Sequence, residues 1–199
     1  MQNLDNIIGI HLLNEHSKNY YHWLYEVIPK LILINNYIIN DEYYKNQRYV
    51  LIVDENLFKQ MFEIINLIVK FEYQINEIDD LNGIHCKQLI YCTDFWISQD
   101  NTRFKPNVVE EFFVDKYAVQ LVLNSLKQYK SSIVPSRRIY LQRKGARQLI
   151  NQKEIETVLK NFEFEFVNVS SLSFLEQIKL FSEASTVVGA SGAAFSNIV

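Results

Sequence analysis

Short apolar runs alternate with longer amphipathic segments along the first half of the chain. Four of these runs predict strands, at 7–13, 49–53, 73–78 and 87–92. In residues 19–38 and 56–71 the apolar positions recur at every third or fourth residue, which is typical of helices that bury one face. Pro29 lies inside the first of these helices and lacks a backbone donor, so we expect a kink or a break there.

The second half of the chain starts with a predicted loop, a long helix and a linker. Predicted strands and helices then alternate again. Residues 95–105 are polar and predict a loop, whereas 108–129 predict a long helix with Pro106 in its first turn. Residues 130–136 are typical of a linker. The elements predicted beyond it are strands at 138–142, 164–169 and 186–188 and helices at 152–162 and 174–184.

Two of these helices begin with a local capping signal. Asn151 precedes Glu154 by three residues, and Ser173 precedes Glu176 by the same spacing. In a capping box, the side chains of two such residues each accept a hydrogen bond from the other's backbone N–H. We therefore expect a capping box at the start of both helices.

Alternation of apolar strands with amphipathic helices predicts an α/β fold with parallel sheets covered by helices. The linker divides the chain into two such units, at 1–130 and 137–199.

Composition narrows the possible partners and the compartment. The chain has 199 residues, 48% of them hydrophobic, and a net charge of −3, so it can bury a core but has no overall basic field that would attract nucleic acid. Its two cysteines, Cys86 and Cys92, match neither a zinc nor a redox spacing and suit a reducing compartment. No signal peptide or membrane-spanning run is apparent, so we expect a soluble, cytoplasmic protein.

The stretch GASGAAFSN, from Gly189 to Asn197, follows a β-type run at 185–188 and lies where a helix would begin. Glycines let the backbone approach a ligand closely, and the free N–H groups of a first helical turn favour an anion. We hypothesise that this turn holds a diphosphate.

A basic cluster lies one crossover earlier, where Arg143, Lys144 and Arg147 follow a predicted strand. Arginine side chains suit phosphate oxygens, although a solvated basic loop would have the same composition. Because parallel strands end at the same edge of a sheet, this cluster and the glycine-rich turn are expected to meet there.

His22 and Glu26 share one face of the first predicted helix and could supply a general base. The alternative is a packed, hydrogen-bonded core histidine. The sequence does not distinguish His22 from Glu26 as the base. No histidine spacing or DxD triplet predicts a metal site, and we expect no cofactor.

Three blocks of the sequence, NYYHWLYEVIPKL, RRIYLQRKGARQLINQKEIETVL and LSFLEQIKLFSEASTVVGASGAAFSN, resemble glycosyltransferase family 61. That family includes bacterial capsular-polysaccharide enzymes and eukaryotic xylosyl- and N-acetylglucosaminyltransferases. The resemblance implies a GT-B architecture of two Rossmann-like domains. It also implies inverting, metal-independent transfer from a nucleoside diphosphate-sugar to a carbohydrate acceptor. It also implies an acceptor-side domain at 1–130 and a nucleotide-sugar domain at 137–199 that would continue beyond Val199.

The resemblance and the local chemistry together assign expected roles to individual residues. The residues expected at the donor diphosphate are Arg143, Lys144, Arg147, Gly189, Ser191, Gly192, Ala193 and Asn197. Those expected at the nucleoside are Ser170, Ser173, Glu176 and Gln177, and those expected in catalysis are His22 and Glu26. Ser191 stands where family members often carry histidine. The alternative function is that of a non-catalytic nucleotide- or glycan-binding module.

Overall fold

The computed structural model describes residues 2–79, 84–98, 112–143 and 148–197. The chain divides into two compact units, Met1–Ser125 and Leu126–Val199. Parallel sheets with helices between their strands occur in both units, which confirms the predicted α/β class. Among the described helices, none has both the length and the apolar character needed to cross a bilayer.

The first unit is built on a four-stranded parallel sheet. Its strands are β1 (Gln2–His11), β2 (Tyr49–Asp54), β3 (Tyr73–Ile78) and β4 (Ile84–Ile90). Their order is β3-β2-β1-β4, so β1 and β2 are central. Residues 49–53 of β2 are all buried, as expected for an apolar strand covered on both faces.

A continuous helical segment of three parts follows β1. It consists of α1 (Tyr20–His22), a π-helical turn (Trp23–Val27) and α2 (Ile28–Asn40). Of the two outcomes predicted at Pro29, a kink or a break, the break does not occur, because the helix continues through this residue. Pro29 has no N–H to donate to the preceding turn, and the switch from π- to α-helix falls immediately before it.

Helix α3 (Lys59–Ile68) is shorter than the predicted helix at 56–71. Asn56 has a positive φ of 63° and Phe58 is extended, so the chain cannot be helical before Lys59. Every third or fourth residue of α3 is buried, as the sequence predicted: Met61, Ile64, Ile65 and Ile68.

The segment between β4 and the second unit differs from the prediction. Strand β5 (Trp96–Ser98) lies within the predicted loop, and β6 (Phe112–Val114) lies within the predicted helix and pairs antiparallel with β5. Helix α4 covers only Lys116–Leu126 and is followed by a 3-10 turn, Lys127–Tyr129. Pairing between two distant segments thus overrides the local helical pattern. The predicted position of Pro106 lies outside the described residues.

The second unit is built on a three-stranded parallel sheet in the order β8-β7-β9. Its strands are β7 (Arg137–Leu141), β8 (Glu165–Val167) and β9 (Ala184–Gly189), and its helices are α5 (Gln152–Lys160) and α6 (Phe174–Glu183). The core of this unit consists of Ile139, Leu141, Val169, Leu180 and Phe181.

One of the two predicted capping boxes is confirmed. Ser173 Oγ accepts a hydrogen bond from the Glu176 N–H at 3.3 Å, and Glu176 Oε2 accepts one from the Ser173 N–H at 2.7 Å. The box predicted at Asn151 is wrong, because this residue makes no side-chain cap. Its φ of −99° and ψ of 28° are not the extended conformation that an N-cap side chain needs to reach back to the helix.

Candidate functional site

His22 and Glu26 form a direct hydrogen bond in the first unit. His22 Nδ1 lies 2.5 Å from Glu26 Oε1, and the Glu26 residue is only 3% exposed. A carboxylate can only accept a hydrogen bond, so in this contact the imidazole proton lies on Nδ1, and Nε2 is the ring nitrogen that can take a proton. The pair therefore has the arrangement of a histidine base oriented by a carboxylate.

Glu26 lines a cleft of about 590 Å³ at the carboxyl edge of the first sheet. This edge has a topological switch point, since β2 and β3 lie on one side of β1 and β4 lies on the other. The crevice outside the carboxyl ends of two such strands is where open α/β sheets bind ligands. Residues that follow β1 and β4 line the cleft together with the helix: His11, Leu13, Asn14, Glu15, His16, Glu26, Lys30, Tyr91, Cys92, Thr93 and Asp94.

Most of the polar groups in this cleft were not identified from the sequence. Lys30 is 3% exposed, and its ammonium group forms an ion pair with the Asp94 carboxylate. The ring centroids of His16 and His22 lie 4.9 Å apart. Lys30 follows Glu26 by four residues, and this helical spacing could have revealed it, whereas Asp94 is distant in sequence.

Burial controls the charge of two further groups in the cleft. Burial, and secondly the Lys30 ammonium, lower the pKa of His11, so this ring is neutral near pH 7. Burial raises the pKa of the Cys92 thiol, which keeps it protonated. The cleft therefore combines neutral hydrogen-bonding groups with a few charged ones, which suits a ligand rich in hydroxyl groups.

The second unit has its own switch point, between β7 and β9. Arg143 follows β7, and its Nη1 donates a hydrogen bond to the Ser191 carbonyl oxygen, beyond the end of β9, at 2.6 Å. Arg143, the first residue of the basic cluster, and the glycine-rich turn are therefore in contact, as expected for segments that follow neighbouring parallel strands. Lys144 and Arg147 lie outside the described residues.

Two glycines of the turn face different neighbours. A Cβ on Gly189 would lie 2.9 Å from Leu141 Cβ, in the neighbouring strand β7. A Cβ on Gly192 would collide instead with the guanidinium group of Arg143. The helical start predicted for this stretch is a 3-10 helix, Ala193–Asn197, rather than an α-helix in the described residues.

The four residues expected at the nucleoside all lie near the start of α6. Ser173 and Glu176 form its capping box, and Ser170 Oγ donates to Asn168 Oδ1 at 2.7 Å. Gln177 is buried and accepts a hydrogen bond from Asn197, which was expected at the diphosphate. Contact of these residues with a ligand remains a prediction.

No group of three or more His, Cys, Asp or Glu side chains that could hold a metal ion occurs in the described ranges. Comparison with models of protein families gives a match. The family model for Glycosyltransferase 61 matches residues 20–199 and so covers most of the chain, which confirms the resemblance expected from the three sequence blocks. A search of curated proteins finds no match.

Proposed function

Because the chain belongs to glycosyltransferase family 61, we propose that it transfers a sugar from a nucleoside diphosphate-sugar to a hydroxyl group of a carbohydrate acceptor. We also propose that its two units are the two Rossmann-like domains of a GT-B enzyme. The parallel sheet of each unit, with candidate residues at its switch point, supports both proposals.

In the proposed reaction, His22 is the general base. Its Nε2 takes the proton of the acceptor hydroxyl while that oxygen attacks the anomeric carbon of the donor sugar. The bond between this carbon and the diphosphate oxygen breaks on the opposite face, which inverts the anomeric configuration. The buried carboxylate of Glu26 holds the ring and stabilises the imidazolium that forms, so Glu26 is a positioning residue.

The cleft beside Glu26 is the proposed acceptor site. Its ammonium, carboxylate and amide groups can exchange hydrogen bonds with several hydroxyls of one sugar, and its volume suits one or two sugar units. We propose that the acceptor belongs to a surface polysaccharide or a related glycan and that transfer takes place in the cytoplasm, whose reducing conditions suit the two unpaired cysteines.

The observation that carries the proposed donor site is the hydrogen bond from Arg143 to the Ser191 carbonyl. It brings a guanidinium group against a glycine-rich turn at the carboxyl edge of a parallel sheet. We propose that Arg143, Lys144, Arg147 and the N–H groups of 189–194 stabilise the leaving diphosphate without a metal ion. Donors aimed at developing negative charge are among the strongest catalytic contributions in a site that excludes water.

The test is transfer from a panel of nucleotide-sugars to carbohydrate acceptors in the presence of EDTA, with the anomeric configuration of the product determined by NMR. Arg143→Ala is expected to lower kcat/KM about 10²- to 10³-fold, the usual effect of removing one such donor. Arg138→Ala is the matched control, because Arg138 lies in β7, the strand that precedes Arg143, and also donates to a main-chain carbonyl, that of Phe162. It should retain full activity.

Three results would count against the proposal. Equal activity of Arg143→Ala and the wild type would remove Arg143 from the donor site. Loss of transfer in EDTA would exclude the metal-independent mechanism. Binding of a nucleoside diphosphate with no turnover of any sugar would favour the alternative of a non-catalytic binding module.

A further inference from the structure

We propose that Gln177 and Asn197 are a positioning pair that holds two segments of the donor site, 169–172 and 193–197, at a fixed separation. This inference rests on the proposed donor site in the second unit. The sequence assigned both residues to ligand contacts, but both side chains lie in the interior, 4% and 7% exposed.

The side-chain amide of Gln177 uses both of its ends. Its Nε2 donates to the carbonyl oxygens of Val169, at 3.1 Å, and Leu172, at 3.2 Å. Its Oε1 accepts a hydrogen bond from Asn197 Nδ2 at 2.8 Å. A single buried side chain thus joins the segment at 169–172 to the end of the 3-10 helix at 193–197.

These two segments follow different strands at the same edge of the sheet. The segment at 169–172 begins with a short 3-10 helix, Val169–Ser171, and follows β8. The 3-10 helix at 193–197 follows the turn after β9, and α6 connects β8 to β9. Gln177 lies in the first turns of α6, beneath this edge. It therefore connects the segments on either side of β7, the strand that leads to Arg143.

Both segments present polar groups at the surface directly beside their buried bonds. Ser170 and Ser171 are exposed next to Val169, which is buried, and Ser191 is exposed at the beginning of the turn that leads to Asn197. A ligand can contact such exposed groups and the backbone of these segments, while Gln177 fixes that backbone from the interior. This is the usual division between residues that touch a ligand and residues that orient them.

The energetics of burying the Gln177 amide favour a geometric role over a purely stabilising one. A leucine at 177 would fill similar space without the cost of desolvating an amide. The three hydrogen bonds of the Gln177 amide therefore orient the segments that they join rather than add hydrophobic stability. Removing the amide breaks the bonds from Gln177 to two carbonyl groups and to the Asn197 amide. The two segments are then free to settle at a different separation.

The test measures binding of UDP, GDP, ADP and CDP by the full chain, together with KM for donor and acceptor. Gln177→Leu and Asn197→Leu are each expected to weaken binding of the preferred nucleoside diphosphate about tenfold, or about 1.4 kcal/mol, while KM for the acceptor stays unchanged. The exchanged pair Gln177→Asn with Asn197→Gln should recover part of the affinity. Asn197→Leu keeps the test open should Gln177→Leu fail to fold, because it removes the same bond without altering α6.

Glu183→Gln is the control, since it weakens another buried polar contact of α6, with Arg137, at the opposite edge of the same sheet. It should lower stability and leave nucleotide affinity unchanged. Equal nucleotide affinity of Gln177→Leu and the wild type would overturn this inference but not the proposed donor site. An equal loss of nucleotide affinity in Glu183→Gln would do the same. A wild-type chain that binds none of the four nucleotides would overturn the proposed donor site and this inference with it.

Discussion

Nδ1 of His22 lies 2.5 Å from Oε1 of Glu26, and the turn that carries the carboxylate is π-helical. His22 ends α1, and Glu26 is buried within the wider turn that follows. Isolated π-helical turns are rare and are found frequently at functional sites. The local distortion and the buried carboxylate thus occur in the same five residues, and this is the strongest structural reason to assign chemistry to the pair.

The first prediction separates the roles of these two residues. His22→Gln should lower kcat about 10²- to 10⁴-fold, the usual contribution of a general base. KM for the donor should change little, because His22 is assigned to the acceptor side. The measurement is kcat at saturating donor and acceptor, with the pH profile of each variant.

Glu26→Gln keeps the shape of the side chain but cannot stabilise an imidazolium by charge, so its loss of kcat should be smaller than that of His22→Gln. His85→Gln is the control, because His85 is an exposed imidazole of β4 that does not line the cleft, and its kcat should be unchanged. A larger loss in Glu26→Gln than in His22→Gln would show that the carboxylate itself is the base.

The second prediction concerns the two glycines of the turn. In Gly189→Ala the new Cβ would also lie 3.2 Å from the Leu141 carbonyl oxygen, so β7 and β9 must separate. We expect a loss of about 1–3 kcal/mol in the free energy of unfolding. In Gly192→Ala only the end of a flexible side chain is displaced, and stability should change by no more than about 0.5 kcal/mol.

Urea unfolding and nucleoside diphosphate binding distinguish the two variants. Gly192→Ala displaces the Arg143 guanidinium from Ser191, so it should weaken binding although it remains fully stable. Unchanged affinity in this variant would mean that the position of the guanidinium against the turn is irrelevant to the ligand.

The third prediction concerns acid stability. Hydrogen bonds from Arg137 to Glu165, at 2.8 Å and 2.5 Å, lower the pKa of Glu165 below its ordinary value. Hydrogen bonds from Ser131 and Arg137 lower the pKa of Glu183 in the same direction. Since the folded state favours the ionised carboxylates, their contribution is present above the pKa of the unfolded chain and is lost as pH falls through the lower, folded values.

The free energy of unfolding should therefore decrease below about pH 5, and Arg137→Met should reduce both its value at neutral pH and its dependence on acid pH. Arg138→Met is the control, because Arg138 donates to a carbonyl rather than to a carboxylate. Chemical unfolding at a series of pH values provides the measurement. Identical acid profiles for the wild type and Arg137→Met would contradict the assignment.

Local sequence was sufficient where a structural feature depends on neighbouring residues. The strand–helix alternation predicted both parallel sheets, and Ser173 with Glu176 predicted a capping box that forms. The same signal failed at Asn151, because capping depends on the backbone conformation of the first residue, which side-chain spacing does not determine. The contact of Arg143 with the glycine-rich turn could be expected because parallel strands end at one edge.

Other contacts between distant segments could not be predicted from the sequence. Lys30 and Asp94 are 64 positions apart, and their ion pair depends on the switch point between β1 and β4. Pairing of β5 with β6 likewise overrode a helical pattern. Pro29 marked the position of the helix distortion but not its form, since a proline is compatible with a break, a kink or a wide turn.

The oxygen that holds Arg143 is a neutral carbonyl rather than a carboxylate. A carboxylate would fix the guanidinium equally well but would cancel its charge before a ligand arrives. The carbonyl of Ser191 restricts the side chain during folding and leaves its full positive charge available, so less conformational entropy is lost on association. Attraction of an anion to this charge should also accelerate encounter, in a manner that weakens as ionic strength rises.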